Sequence, residues 1–255
     1  MDKEKLIGSN IILARESRGI TQKQLSEKVT GLSQGNLSRM EKGLLNISDE
    51  IISGISHELD YPISFFYKEI NTTKDDSLFY RKRVTMTQKT LLRLEARVNI
   101  LCSIIDDLLE SIDIPFFDIP HADMGDGRTA QEVAFNFRNT LNLPSGPVRN
   151  LISLLEKHGV IVLFMEMEEK FDGLTKFTSN AQPVMFINSI ISDDRKRFTI
   201  AHELGHLVMH LREAVFETDE KVAEIQANEF AAEFLMPARD CRTDLFRLRY
   251  TDLPS

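Results

Sequence analysis

The segment His202-Glu203-Leu204-Gly205-His206 lies inside an almost unbroken apolar run that includes Phe198, Ile200, Ala201, Leu207 and Val208. Polar groups buried in such surroundings are costly unless they are paired or bound to something. On a helix, two histidines four residues apart point the same way about one turn apart, so both imidazoles can bind one metal ion. Glu203 sits roughly a third of a turn around from His202. From there it is badly placed as a third ligand, but it can reach a water that zinc acidifies towards a pKa of roughly 7. It can take that water's proton during attack on a peptide carbonyl and later deliver it to the leaving amine. The chain must therefore bury a helix that carries its own polar chemistry.

A catalytic zinc site of this type takes a third protein ligand and keeps one position open. Glu217, Glu220, Glu224, Glu229 and Glu233 follow on or near the next helical segment. Glu224 is our choice, with Asn228 one turn later as a partner that orients a ligand. Spacing alone leaves Glu233 open. Zinc is the expected ion and manganese the alternative. Gly205 lets the ligand-bearing helix approach whatever packs on it. His210 extends the histidine spacing by a turn and reads as a structural or surface histidine. Cys102 and Cys241 are far apart and fit neither a metal site nor an oxidising compartment.

Thr199–His206, followed by Glu224–Pro237 with its Ala227-Asn228-Glu229-Phe230-Ala231-Ala232 centre and Leu235-Met236-Pro237 end, resembles the ImmA/IrrE family of metallopeptidases. Residues 130–143, 147–160 and the strand pair before the metal helix agree, so the resemblance runs from about Thr129 to Pro237. It implies a thermolysin-like zinc core whose third ligand matches Glu224. It also implies a substrate class, because family members cleave repressor proteins and so switch on mobile-element or DNA-damage genes. Members with this arrangement often continue well past the position of Pro237. This chain stops at Ser255, which points to a truncated chain or a naturally missing sensing segment.

The N-terminal region has a different character. From Met1 to Gly43 the charge is +3, although the whole chain carries −8. A phosphate backbone responds to the local value. Short helical patterns alternate with turn signals: Thr21 caps a second helix through Val29, and Ser33 caps a third to Lys42-Gly43. Leu25, Val29, Leu37 and Met40 face a small core, which places Gln34, Gly35, Asn36 and Arg39 outward. Amides and a guanidinium read base edges in a major groove, while Thr21, Gln22 and Ser33 at helix starts suit phosphate contacts. Residues 19–43 resemble the phage-repressor-like helix-turn-helix family often called Xre. Two departures are visible: the Val29-Thr30-Gly31 turn is one residue longer than usual, and Ser26 replaces a common alanine.

The expected fold is α+β and mostly helical. A five-helix, phage-repressor-like helix-turn-helix domain spans 1–70, a linker and long helix 71–123, and a zincin-like domain with a small sheet and the metal helix 124–255. A fourth helix opens at Ser48, and Pro62 opens a short fifth. Leu91, Leu94, Val98, Leu101, Ile105 and Leu108 form a heptad-like stripe, read first as a helix docked on its neighbour and second as a homodimer seam. Helices are expected at 129–141, 148–158, 193–211 and 220–236, and strands at 160–164, 171–177 and 183–187. No apolar stretch approaches the roughly 18 residues of a membrane span, so the expected setting is the cytoplasm. Two functions compete. One is a metallopeptidase localised to an operator DNA and acting on a repressor; the other is a DNA-binding regulator or antitoxin whose zinc domain only senses or stabilises. Glu203 beside the metal favours the first, since a structural site has no use for it.

Overall fold

A computed structural model describes residues 7–46, 48–70, 87–122, 124, 127–168, 171–210 and 219–241, the side chain of Glu220 excepted. Leu6, Glu217, Leu211, most of the polar stretch 71–88 and the end of the chain lie outside the described residues. The chain forms two compact units.

The first unit carries α1 (Gly8–Ser17), α2 (Gln22–Lys28), α3 (Gln34–Glu41), α4 (Asp49–Leu59), a single 3₁₀ turn at Ile63–Phe66, and α5 (Gln88–Leu109). Their starts follow from side-chain chemistry. Thr21 accepts from the Gln24 N–H while the Gln24 side chain accepts from the Thr21 N–H, a reciprocal cap. Ser33 and Ser48 accept from the N–H groups of Asn36 and Ile51. Leu25, Val29, Leu37 and Met40 are buried together with Ile11, Ile52 and Ile55, as the apolar pattern requires. In the turn between α2 and α3, Leu32 donates to the Val29 carbonyl at 3.2 Å, and Gly31 takes φ +80°. After Pro62 the chain makes only the 3₁₀ turn, where Phe66 is fully buried and Phe65 stacks beside Tyr61. The heptad-like stripe is used inside the chain. Helix α5 packs on α1, Leu94, Val98 and Ile105 are buried, and Leu108 stays exposed.

The second unit carries α6 (Ala130–Thr140), α7 (Leu151–Lys157), β1 (Ile161–Met165), β2 (Gly173–Phe177), β3 (Pro183–Asn188), α8 (Asp193–Met209) and α9 (Glu220–Leu235). The sheet order is β1-β3-β2, with β1 parallel and β2 antiparallel to the central strand. All of β3 is buried, which is why Pro183–Ile187 reads as a continuous apolar run. Helix α7 starts three residues later than its apolar pattern suggests. Asn150 caps it by accepting from the Ser153 N–H, while Val148 enters the core ahead of the helix and its carbonyl accepts from Arg197.

Helix α8 is buried from Thr199 to Met209, apart from a partly exposed His202, because it packs on β2 and β3 and also on α9. Gly173 and Gly205 make those contacts close. A Cβ on Gly173 would lie 2.7 Å from Thr199 Cγ2, and one on Gly205 would lie 3.1 Å from the Phe230 ring and 3.3 Å from the Ala227 Cα. Phe137 of α6 meets Phe230 and Phe234 of α9, and Arg138 donates to the Phe234 carbonyl at 2.7 Å. These contacts hold α9 at a set rotation against α8. Among the described residues no helix is long and apolar enough to cross a membrane.

Candidate metal centre

Helix α8 presents His202 and His206 on one face, and α9 brings Glu224 against them. The two Nε2 atoms are 3.1 Å apart, Glu224 Oε2 is 3.4 Å from His202 Nε2, and Glu224 Oε1 is 3.3 Å from His206 Nε2. Three donors bound to one ion at about 2.0–2.1 Å with tetrahedral angles lie about 3.3–3.4 Å from one another. The donor set is thus spaced for a small divalent cation, with two imidazoles and one carboxylate suited to zinc chemistry. Burial disfavours the charge on Glu224, but hydrogen bonds with and positive charge on His202 and His206 outweigh it. They hold the carboxyl well below the usual carboxylate range.

Of the other acidic candidates, Glu229 and Glu233 have described side chains. Glu229 is exposed, and Glu233 accepts from the Ala238 N–H at the end of α9. Asn228 presents Oδ1 to His202 Nδ1 at 2.9 Å. His210, expected as a structural or surface histidine, is half-buried. Its Nδ1 lies 3.0 Å from His206 Nδ1, and its Nε2 lies 2.9 Å from Gln226 Oε1. The i, i+4 spacing from His206 was the signal for it, whereas Gln226 carried none.

Glu203 is buried, and its Oε2 accepts from Thr175 Oγ1 at 2.9 Å. Thr175 is itself buried on β2, level with Met185 of β3. Nothing in a β-strand of the composition Gly-Leu-Thr-Lys-Phe marks that threonine, because the contact depends on how the sheet docks beneath α8.

In the first unit, Gln34, Gly35, Asn36 and Arg39 are exposed along α3, and a Cβ on Gly35 would meet nothing within 4 Å. Thr21 and Ser33 are exposed caps. Gln22 turns inward: its amide nitrogen donates to Glu41 Oε2 at 2.6 Å, which ties it to the buried Arg15–Glu41 pair.

Comparison with known proteins agrees with this division. A family model described as an IrrE N-terminal-like domain, of the M78 peptidases, matches residues 155–254. A helix-turn-helix family model matches residues 11–66. No curated protein matches the chain. Among solved structures, Bacillus thuringiensis PlcR in complex with the peptide PapR7 and DNA is 25% identical, covering 44% of this chain and 46% of its own, with a TM-score of 0.23. The chain therefore spans under half the length of that protein. The chain joins a helix-turn-helix domain to a metallopeptidase-like domain on a mostly helical framework.

Proposed function

We propose that this chain is a zinc-dependent endopeptidase that its helix-turn-helix domain localises to DNA, and that it regulates transcription by cutting a repressor protein in a stress or mobile-element response. The observation that carries the enzymatic half is the convergence of His202, His206 and Glu224 at 3.1–3.4 Å beside a buried Glu203. When bound, zinc supplies Lewis acidity, polarising a carbonyl and making a water easier to deprotonate. Glu203 takes the proton of the attacking water on its carboxylate while oxygen adds to the peptide carbon. It then gives that proton to the amide nitrogen as the C–N bond breaks. Thr175, donating to Oε2, keeps the carboxylate aimed from β2. Asn228 holds the His202 ring.

The test is a metal assay on the purified chain beside His202→Ala and Glu224→Ala, followed by a cleavage screen. The expected result is about one zinc per chain, lost or sharply weakened in both variants. No binding of zinc or manganese in metal-replete buffer would overturn the reading. Zinc bound with no cleavage of any repressor would leave a regulator whose metal domain senses or stabilises.

The DNA half rests on the exposed amides and guanidinium of α3, with Thr21 and Ser33 placed for phosphates. A single module makes few contacts, so tight operator binding calls for a second copy of the chain. Action on chromosomal or mobile DNA places the protein in the cytoplasm. Duplexes selected from a random pool supply the probe. Asn36→Ala and Arg39→Ala should each cost about 1–3 kcal/mol of sequence discrimination with the helical signal intact. Unchanged selectivity in both would remove α3 as the reading helix.

A further inference from the structure

We propose that Gln226, acting through His210, fixes which nitrogen of His206 faces the metal, making His210 and Gln226 positioning residues of the centre. The inference rests on the metal-site reading above and follows from hydrogen-bond bookkeeping around one ring. His206 turns Nε2 towards His202 and Glu224, and Nδ1 towards His210. A neutral imidazole carries hydrogen on one nitrogen and a lone pair on the other. With the Nε2 lone pair committed to a cation, Nδ1 must carry the hydrogen and donate it across the 3.0 Å to His210 Nδ1. His210 then accepts at Nδ1, so its own hydrogen sits on Nε2, which faces Gln226 Oε1 at 2.9 Å. In that arrangement Gln226 accepts from His210, which accepts from His206.

His202 has the shorter version of the same device, with Nδ1 facing Asn228 Oδ1 at 2.9 Å. Both arrangements end on α9, the helix that supplies Glu224. Three positions on α9, Glu224, Gln226 and Asn228, therefore set the ligand and the orientation of both histidines on α8. The hydrogen bonds of α9 thus hold both rings with Nε2 turned towards Glu224.

The experiment has two readouts on the full chain. Zinc affinity is measured by competition with a chromogenic chelator for the parent, His210→Ala, Gln226→Leu and Gln226→Glu. Loss of ring-orienting partners should weaken binding by about 10–100-fold in His210→Ala and Gln226→Leu. Gln226→Glu keeps an acceptor for His210 Nε2 and should restore most of the affinity. Long-range ¹⁵N NMR of the ring nitrogens should place hydrogen on Nδ1 of His206 and on Nε2 of His210. Unchanged affinity in Gln226→Leu, or hydrogen on Nδ1 of His210, would overturn the proposal. A parent chain that binds no zinc would instead bring down the peptidase reading, and the ring-nitrogen spectrum of the metal-free chain would still decide the hydrogen-bond direction.

Discussion

Glu203→Gln should give a chain that binds zinc as tightly as the parent and cleaves its substrate about 10²–10⁴-fold more slowly. The substitution replaces one oxygen by an amide nitrogen and changes neither length nor shape. Thr175 Oγ1, which donates to a Glu203 oxygen at 2.9 Å, can donate equally to the remaining amide oxygen. His202, His206 and Glu224 are untouched, so the ligand set survives. What disappears is the group that accepts a proton from the attacking water, because an amide oxygen is far too weak a base for that work. Single-turnover cleavage and zinc content measured on the same preparation check the two halves together. A variant that loses both would mean Glu203 supports the fold of α8, and one that loses neither would remove it from the reaction. Thr175→Val offers a milder companion, since it leaves the carboxylate in place and removes only the bond that aims it.

Much of this site is legible in the sequence, and the reason is local geometry. His202 and His206 share a face by helical arithmetic, and Glu203 falls beside them by the same arithmetic. The choice between Glu224 and Glu233 was legible in part. Nine residues at about 100° each place the two on opposite faces of one helix, so only one can meet the histidines. Which face turns inward is a tertiary matter, settled by Phe230, Phe234 and Ala227 packing on α6 and α8. Thr175 was invisible for a related reason: its value depends on β2 pairing with β3 and on Gly173 letting the strand approach Thr199. His210 showed the right spacing, but its role needed Gln226 from another helix.

The helix starts were the most legible features of the fold. Thr21, Ser33, Ser48 and Thr129 each carry a side-chain oxygen that accepts from an orphan N–H in the first turn. The stripe on α5 shows the limit of periodicity. A 3-4 spacing demands an apolar partner but does not say whether that partner is the same chain or a second copy. Within the chain Val98 is fully buried, Leu101 half-buried and Leu108 exposed.

The second large effect is expected in the other unit. Glu41→Ala should destabilise the helix-turn-helix unit by about 3 kcal/mol, because it removes the closer of the two carboxylates paired with the buried guanidinium of Arg15 and leaves only Glu16, 3.6 Å away. Arg15 Nε donates to Glu41 Oε1 at 2.7 Å, and the two side chains are only 11% and 4% exposed. Arg15 also donates to the Ile20 carbonyl at 3.0 Å, and Gln22 donates to Glu41 Oε2, so the pair joins α1, the turn after it, α2 and α3. Water cannot replace the lost carboxylate without opening that junction. For a unit of this size the loss corresponds to a fall of more than about 10 °C in its melting temperature. Zinc affinity, carried by the second unit, should not change, which separates this effect from general misfolding. The double substitution Arg15→Met with Glu41→Leu gives the sharper test. Removing both charges and filling the space should recover most of the loss, since breaking a buried pair costs far more than replacing it. If the double variant melts as low as Glu41→Ala, the pair contributes through shape, and the electrostatic account of this core is wrong.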